Sequence, residues 1–417
     1  MAVYYIDEVM GRGKTSALIN HINGAPEGDR FIYITPYLTE VDRIQKACES
    51  KAFLAPRKES GGKLTNIKRL ISERRNIVST HALFSMFDNE TIALIKDKHY
   101  TLVMDEAPAA IAPVNITPYD AACILKKGYA KIMPNKRLEW TNSDYVGRFY
   151  DIRRLIEDKN IYYYNEYRWI NVMPEELYRA FDTIYILTYL FGNQYIRCYF
   201  DIIGLEYQRK YIAGSSPETY RLSDVYEKAP VTDFRPLIHV VDNSKLNEIG
   251  AEKTALCKSW YVRNMEDGHP SKNMDRLRKN TLNFFRNIAK TDADDNLWTT
   301  FLPDEHGLDW RQQLSGGGYT KGFLACTARG TNAYRHKTAL AYLINIYPNT
   351  TTWNFLNALG IDLDRDMYAL SEMLQWIWRS AIRDGKEITL YVPSKRMRKL
   401  LTDWMDSLCK DGEEETL

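Results

Sequence analysis

The sequence predicts an α/β chain made of two parallel-sheet units in tandem, the first carrying an inserted helical and β-hairpin subdomain. Three observations predict it. Short apolar strands alternate with amphipathic helices from Val3 to Glu106, and again from Leu237 to the closing helix. Such alternation points to parallel sheets covered on both faces, with ligands at the carboxyl ends of the strands. Between Ala107 and Arg179 the alternation breaks, with prolines at 108, 113, 118 and 134. The length of 417 residues allows two or three domains, each with its own core.

The first element, Val3 to Ile6, is a β-prone run that empties into the turn Gly11-Arg12-Gly13, followed by Lys14-Thr15 and the helix-like Ser16-Ala17-Leu18-Ile19. Strand, glycine loop and helix in that order are what a phosphate-binding loop needs. Glycines let backbone N–H groups turn inward around phosphate oxygens, and the new helix adds the positive end of its dipole. Lys14 is placed to reach the outer phosphates and the Thr15 hydroxyl to ligate Mg²⁺. Gly11, Arg12, Gly13, Lys14, Thr15 and Ser16 are therefore the candidate nucleotide contacts. The full pattern wants a glycine where this chain has Glu8.

Arg30 to Pro36 reads as a buried strand ended by proline, and Leu38 to Ala47 as a helix with Leu38, Val41, Ile44 and Ala47 on one face. A basic helix, Lys63 to Arg75, leads to a strand over Asn76 to Thr80 and a turn into His81. Tyr100 to Asp105 is a further strand ending in the carboxylates Asp105-Glu106. In the interrupted segment lie a basic cluster (Lys126, Lys127, Lys131, Lys136, Arg137) and a run from Ile161 to Ile170 that reads as a hairpin about Asn165-Glu166. An aromatic hairpin of this kind is more often packed against its neighbours than used as a wedge that stacks on a base or splits a duplex. The strand Thr183 to Thr188 resumes the pattern. A joint near Ser215-Ser216-Pro217 divides the chain into residues 1–215, with the insertion at about 108–180, and residues 216–417.

The second half offers strands at Leu237 to Val241, Leu297 to Phe301 and Ile388 to Val392. Helices are expected over Lys245 to Val262, Asp275 to Ala289, Lys337 to Ile346, Asp366 to Ile382 and Lys395 to Leu408. A Gly316-Gly317-Gly318 turn precedes Gly322 to Thr327, and Glu413-Glu414-Glu415 reads as a solvated tail.

Bulk composition narrows the function classes. A formal net charge of +2 sets up no global field for a polyanion, so any nucleic-acid site must come from local patches. The 29 tyrosines suit base stacking, but half-buried sheet positions are the more ordinary use of any single one. Six cysteines, Cys48, Cys123, Cys198, Cys257, Cys326 and Cys409, are scattered without metal spacing and read as small buried hydrophobes in a reducing compartment. The opening strand leaves no room for a signal peptide and no apolar run reaches membrane-spanning length, so a cytoplasmic protein with no membrane partner is expected.

Asp105-Glu106 follows Lys14 by about ninety residues, enough for intervening strands to return beside the loop. Hydrolysis needs one carboxylate to hold Mg²⁺, a role for Asp105, and one to position and deprotonate the attacking water, a role for Glu106. Thr35, Thr80, His81, Thr327 and Arg329 are candidate nucleic-acid contacts, because short polar side chains and backbone N–H groups at strand ends hold successive phosphates without reading sequence.

Taken together, these motifs resemble those of superfamily 2 helicases, and in particular the compact helicase-like ATPases of tailed bacteriophages. Gly11 to Thr15 resembles motif I, Asp105-Glu106-Ala107 motif II, and Ile34-Thr35-Pro36 stands in the place of motif Ia. Ser79-Thr80-His81 resembles the segment that grips the strand backbone, and Leu187-Thr188-Tyr189 is a poor motif III. Thr327 to Asn332 resembles motif V. Gln375 to Arg383 resembles motif VI, one residue longer than usual and with Trp378 and Ile382 where small glycines are usual. A continuous helix from Asp366 would set Gln375, Arg379 and Arg383 on one face, leaving either arginine as the finger.

The resemblance implies two RecA-like domains around an ATP cleft, with ATP and Mg²⁺ as cofactors. It implies an ATP-dependent DNA helicase or translocase in phage replication or recombination, acting on single-stranded or forked DNA, with phage replication proteins as partners. The alternatives are a DNA-packaging-type motor and a nucleotide-gated protein that remodels nucleic-acid complexes without translocating. Packaging motors usually add a nuclease domain with spaced acidic residues, and the second half shows no such set. With the loop so near Met1, no upstream segment is expected to read the adenine, which implies lax base selectivity.

Overall fold

The computed structural model describes residues 1–413 except 159, 166–167, 228–232, 267–268, 304–308 and 329–332. Two compact units divide the chain, Met1–Glu227 with Pro348–Leu363, and Lys228–Tyr347 with Asp364–Leu417.

In the first unit the chain runs through β1 (Ala2–Asp7), α1 (Lys14–Gly24), β2 (Phe31–Thr35), α2 (Leu38–Ala47), α3 (Lys63–Ser72), β3 (Ile77–Thr80), α4 (His81–Phe84), α5 (Asn89–Lys98) and β4 (Thr101–Asp105). The insertion follows, as β5 (Ile111–Pro113), α6 (Pro118–Lys126), β6 (Ala130–Ile132), β7 (Leu138–Trp140), α7 (Tyr150–Glu157), β8 (Ile161–Asn165), β9 (Arg168–Val172) and α8 (Glu175–Arg179). After it come β10 (Thr183–Thr188), α9 (Tyr195–Ile202), β11 (Gln208–Ala213) and β12 (Arg221–Ser223).

Seven strands form one sheet in the order β12-β11-β1-β10-β4-β2-β3, parallel throughout except for the edge strand β12. Successive residues of a strand point to opposite faces, so a doubly covered strand must be apolar at every position. β2 shows this: Phe31 and Tyr33 pack into one core with Leu18, Val41 and Ile44 from α1 and α2. Ile32 and Ile34 pack into the opposite core with Ile67 of α3 and Ile95 of α5. α5 begins where the Asp88 carboxylate accepts the Thr91 N–H, an N-cap that satisfies an otherwise orphaned donor.

The insertion has its own core, including Ala121, Ile124, Leu138, Trp140, Phe149, Ile156 and Trp169. β8 and β9 form the expected hairpin, whose turn residues Glu166 and Tyr167 lie outside the described residues. Part of its aromatic face is packed against neighbours. Trp169 is fully buried, and the Tyr162 and Tyr164 rings meet Phe355 edge-on at 5.8 and 6.3 Å, so these two tyrosines pack against a neighbouring helix. The expected joint at Ser215 to Pro217 falls within the first unit, in the turn between β11 and β12, which pair with each other.

In the second unit the elements are β13 (Ile238–Val240), α10 (Ser244–Asn247), α11 (Lys258–Arg263), β14 (Met265–Glu266), β15 (His269–Pro270), α12 (Lys272–Asn283), β16 (Asn296–Thr299), α13 (Trp310–Leu314) and β17 (Ala339–Tyr342). α14 (Thr350–Ala358) belongs to the first unit, where the Thr351 hydroxyl accepts from Arg168 at 3.3 Å. The second unit then resumes with α15 (Arg365–Ile377), β18 (Ile388–Tyr391) and α16 (Lys395–Glu413). Its four-stranded sheet, β13-β18-β17-β16, is entirely parallel.

Two expectations fail here. Lys337 to Ile346 is not a helix: its centre is β17, and Ala339 to Ile344 are all fully buried. A continuous apolar run suits a doubly covered strand and a buried helix alike, so periodicity does not separate them. The helix carrying the Gln375 segment stops at Ile377, and a separate short turn covers Ala381–Asp384. Gln375, Arg379 and Arg383 therefore do not share one helical face. Trp378, at the break, packs edge-on against Phe234 at 5.0 Å and Trp404 at 6.0 Å.

Candidate nucleotide site

Register across the first sheet brings the strand ends level. Asp7 pairs with Thr188, Leu187 with Asp105, Ile34 with Met104, and Thr35 with Thr80. β10 lies between β1 and β4, so the loop after β1 and the carboxylates ending β4 share one edge with a strand between them. The Gly11 to Ser16 loop sits on that edge. Gly11 and Gly13 take φ of +83° and +80°, the left-handed region that an L side chain resists. Glu8 is not among the residues with positive φ, so this backbone does not demand the glycine the full pattern has there.

Gly13 is constrained twice, because a Cβ on it would lie 2.3 Å from Cε2 of Tyr220. Gly13→Ala is expected to cost about 1–3 kcal/mol of folding stability. A chemical-denaturation midpoint equal to that of the parent would contradict this packing.

Lys14 and Thr15 open α1, with Gly13 as the N-cap residue. Lys14 Nζ donates to the carbonyl oxygens of Glu8 and Val9, the latter at 3.2 Å, and so folds over its own loop. Burial lowers its pKa from 10.5 to about 8, against the opposing charges of Asp105, Asp7, Glu8 and Glu106.

The Thr15 hydroxyl lies 3.3 Å from Asp105 Oδ2, on which the Tyr33 hydroxyl also converges at 3.3 Å. Burial and then the Glu106 charge push the Asp105 carboxyl up, while Arg43, 3.8 Å away, and Lys14 oppose the shift. A hard cation fits such a site: two oxygen donors stand together, and one is a partly buried carboxylate.

Glu106 itself takes φ +60°, an uncommon conformation for a residue with a side chain. Its N–H donates to the Leu187 carbonyl at 3.1 Å, and its own carbonyl meets Nε2 of His81 at 2.9 Å. The corner after β4 is thus held from β10 on one side and from α4 on the other. Of the expected nucleic-acid contacts, Thr80 and His81 are partly exposed, Thr35 is fully buried and Thr327 is exposed. Arg329 lies outside the described residues. Within the second unit, Gln375 donates to the Ser371 hydroxyl at 3.2 Å, Arg379 is buried and Arg383 is partly exposed.

Several residues at this edge carry no sequence signal of their own. The Asp7 carboxylate accepts the Leu190 N–H at 2.7 Å and the Phe191 N–H at 3.0 Å, tying the end of β1 to the segment after β10. Arg209 donates to the Asp7 carbonyl at 2.6 Å and lies 3.7 Å from the Glu8 carboxylate. Arg43 pairs with the buried Glu40 at 2.7 Å. Only the adjacency of Asp7 to the loop motif hinted at any of them.

Comparison with known proteins assigns the chain. A protein of Bacillus subtilis (strain 168), described as the SPbeta prophage-derived uncharacterized protein YonV, is 39% identical over 420 residues, covering 97% of this chain and 99% of its own. The chain belongs to the YonV family. Residues 232–405 match the YonV C-terminal Rossmann-like domain, which spans the sheet of the second unit. The solved structure of S. tokodaii Xpd4 is similar with a TM-score of 0.49 at 12% identity, over 97% of this chain and 94% of that one. Among the described residues, no helix is long and apolar enough to cross a membrane.

Proposed function

We propose that this YonV-family chain is a nucleic-acid-dependent ATPase that acts as a DNA helicase or translocase in phage replication or recombination. The observation that carries the reading is the placement of Lys14 and Thr15 beside Asp105, with Glu106 at the next corner. In this reading the Gly11 to Ser16 amides and Lys14 hold the phosphates, and Thr15 and Asp105 hold Mg²⁺. When bound, the cation neutralises charge on the phosphate oxygens. Glu106 orients the attacking water and takes its proton. Arg379 or Arg383 is the arginine that stabilises the transferring phosphoryl group.

The fastening of Glu106 to His81 supports coupling to nucleic acid. His81 and Thr80 are proposed strand contacts, and His81 touches the backbone of the proposed base. A phosphate drawn to that segment would bear on the Glu106 corner, so hydrolysis responds to the strand. ATP turnover is expected to rise on addition of single-stranded DNA, and a forked duplex to be unwound in the presence of ATP. Turnover indifferent to DNA would refute both helicase and packaging motor in favour of a nucleotide-gated switch.

The lowered pKa of Lys14 gives a pH test with two signs. Because the folded pKa of about 8 lies below the ordinary 10.5, the folded protein binds fewer protons than the unfolded chain between those values. The contribution of Lys14 to stability therefore rises with pH across that window. Nucleotide affinity moves the other way, falling above pH 8 by up to about tenfold per pH unit as the ammonium is lost. Calorimetric titrations with ATP at pH 7 and pH 9 check this, and equal affinity at the two values would rule it out.

A further inference from the structure

We propose that Tyr220 is the platform on which the base of the bound nucleotide stacks. This rests on the ATP-binding reading above and adds the part of the nucleotide that the phosphate loop does not touch. The backbone already places the residue. β11 runs parallel to β1, with Ile6 opposite Lys210, so Tyr211 to Ala213 continue level with the residues that leave β1 for the loop. The turn from β11 to β12 therefore stands at the same end of the sheet as Gly11 to Ser16.

That turn is fastened to the helix that begins at Lys14. The Asn20 side chain of α1 donates to the carbonyl oxygens of Pro217 and Tyr220, both at 2.9 Å. Within the turn the Thr219 hydroxyl accepts from the Ser215 and Ser216 N–H groups at 3.2 and 3.0 Å. The outcome is a ring held on Gly13, with Cε2 and Cδ2 at 2.3 and 2.4 Å from where a Cβ would stand, yet still partly open to solvent.

A triphosphate cradled by the loop leaves its nucleoside outside, and a purine needs a flat apolar partner to leave water there. Tyr220 supplies one beside the residue that precedes Lys14, held by bonds to its backbone. Every base has a π-face, so stacking favours nucleotides over bare triphosphate without choosing among purines. This gives the chain a base contact from downstream of the loop.

The test compares dissociation constants for MgATP, MgGTP and Mg-tripolyphosphate in the full chain and in Tyr220→Phe, Tyr220→Leu and Tyr220→Ala. The leucine variant keeps an apolar cover over Gly13 but removes the flat ring. Leucine and alanine are expected to weaken ATP and GTP alike by about tenfold and to leave tripolyphosphate within about twofold, while phenylalanine matches the parent. Equal weakening of all three ligands would overturn the proposal by making the ring a mere prop for the loop, and so would no weakening at all. A parent that binds tripolyphosphate as tightly as ATP overturns the base platform alone. A parent that binds none of the three overturns the nucleotide reading with it.

Discussion

Glu106→Gln is expected to lower ATP turnover by about 10² to 10⁴-fold, the usual contribution of a positioned general base, while ATP still binds. The substitution keeps shape and removes the negative charge, and with it the capacity to take a proton. The backbone around it is fixed independently of the carboxylate, since the Glu106 N–H goes to Leu187 and its carbonyl meets His81. Asp105 is pushed up partly by the Glu106 charge, so losing that charge lets Asp105 ionise more readily, which favours cation binding. Steady-state turnover alongside equilibrium ATP binding measures the split. A variant that hydrolyses ATP at the parental rate would remove Glu106 from the role of base.

Lys14→Ala is expected to act on both quantities. A charged donor to a phosphate contributes about 1.5–3 kcal/mol, so ATP affinity should fall by about ten- to a hundredfold. In the proposed reading the same ammonium also meets charge that grows during phosphoryl transfer, for which loss of one preorganised donor costs about 10² to 10³ in turnover. Folding should survive, because burial already disfavours the charged lysine and the pH-dependent term it adds between about 8 and 10.5 disappears with it. Single-turnover hydrolysis at saturating ATP separates the two effects, and a cooperative melt shows that the variant is folded. Parental turnover at saturation would confine Lys14 to ground-state binding.

Much of this site was legible in the sequence because its parts are local. A strand, a glycine turn with positive φ and a helix beginning at Lys14 are neighbours along the chain, and so are an apolar strand and the two carboxylates that end it. The hairpin of β8 and β9 was legible for the same reason. What misled were features whose meaning depends on what covers them. Ala339 to Ile344 read as helix because an apolar run has no period to betray a doubly buried strand. The spacing of Gln375, Arg379 and Arg383 suggested one helical stripe, but the helix stops at Ile377, where Trp378 finds its place against Phe234 and Trp404. That the hairpin's tyrosines are packed is the more usual case for such a run, but that Tyr162 and Tyr164 meet Phe355, nearly two hundred residues downstream, is not legible locally.

Local sequence suffices for the α/β class, the loop with its lysine and hydroxyl, and the carboxylate pair, because propensity, periodicity and capping act over a few residues. Tertiary structure alone decided that β10 separates β1 from β4, that residues 348–363 return to the first unit, and that Tyr33, Arg43, Arg209 and Tyr220 gather at the loop's edge. Those pairings are between residues tens to hundreds of positions apart. They follow from strand order and register, which depend on how all the apolar faces are buried together.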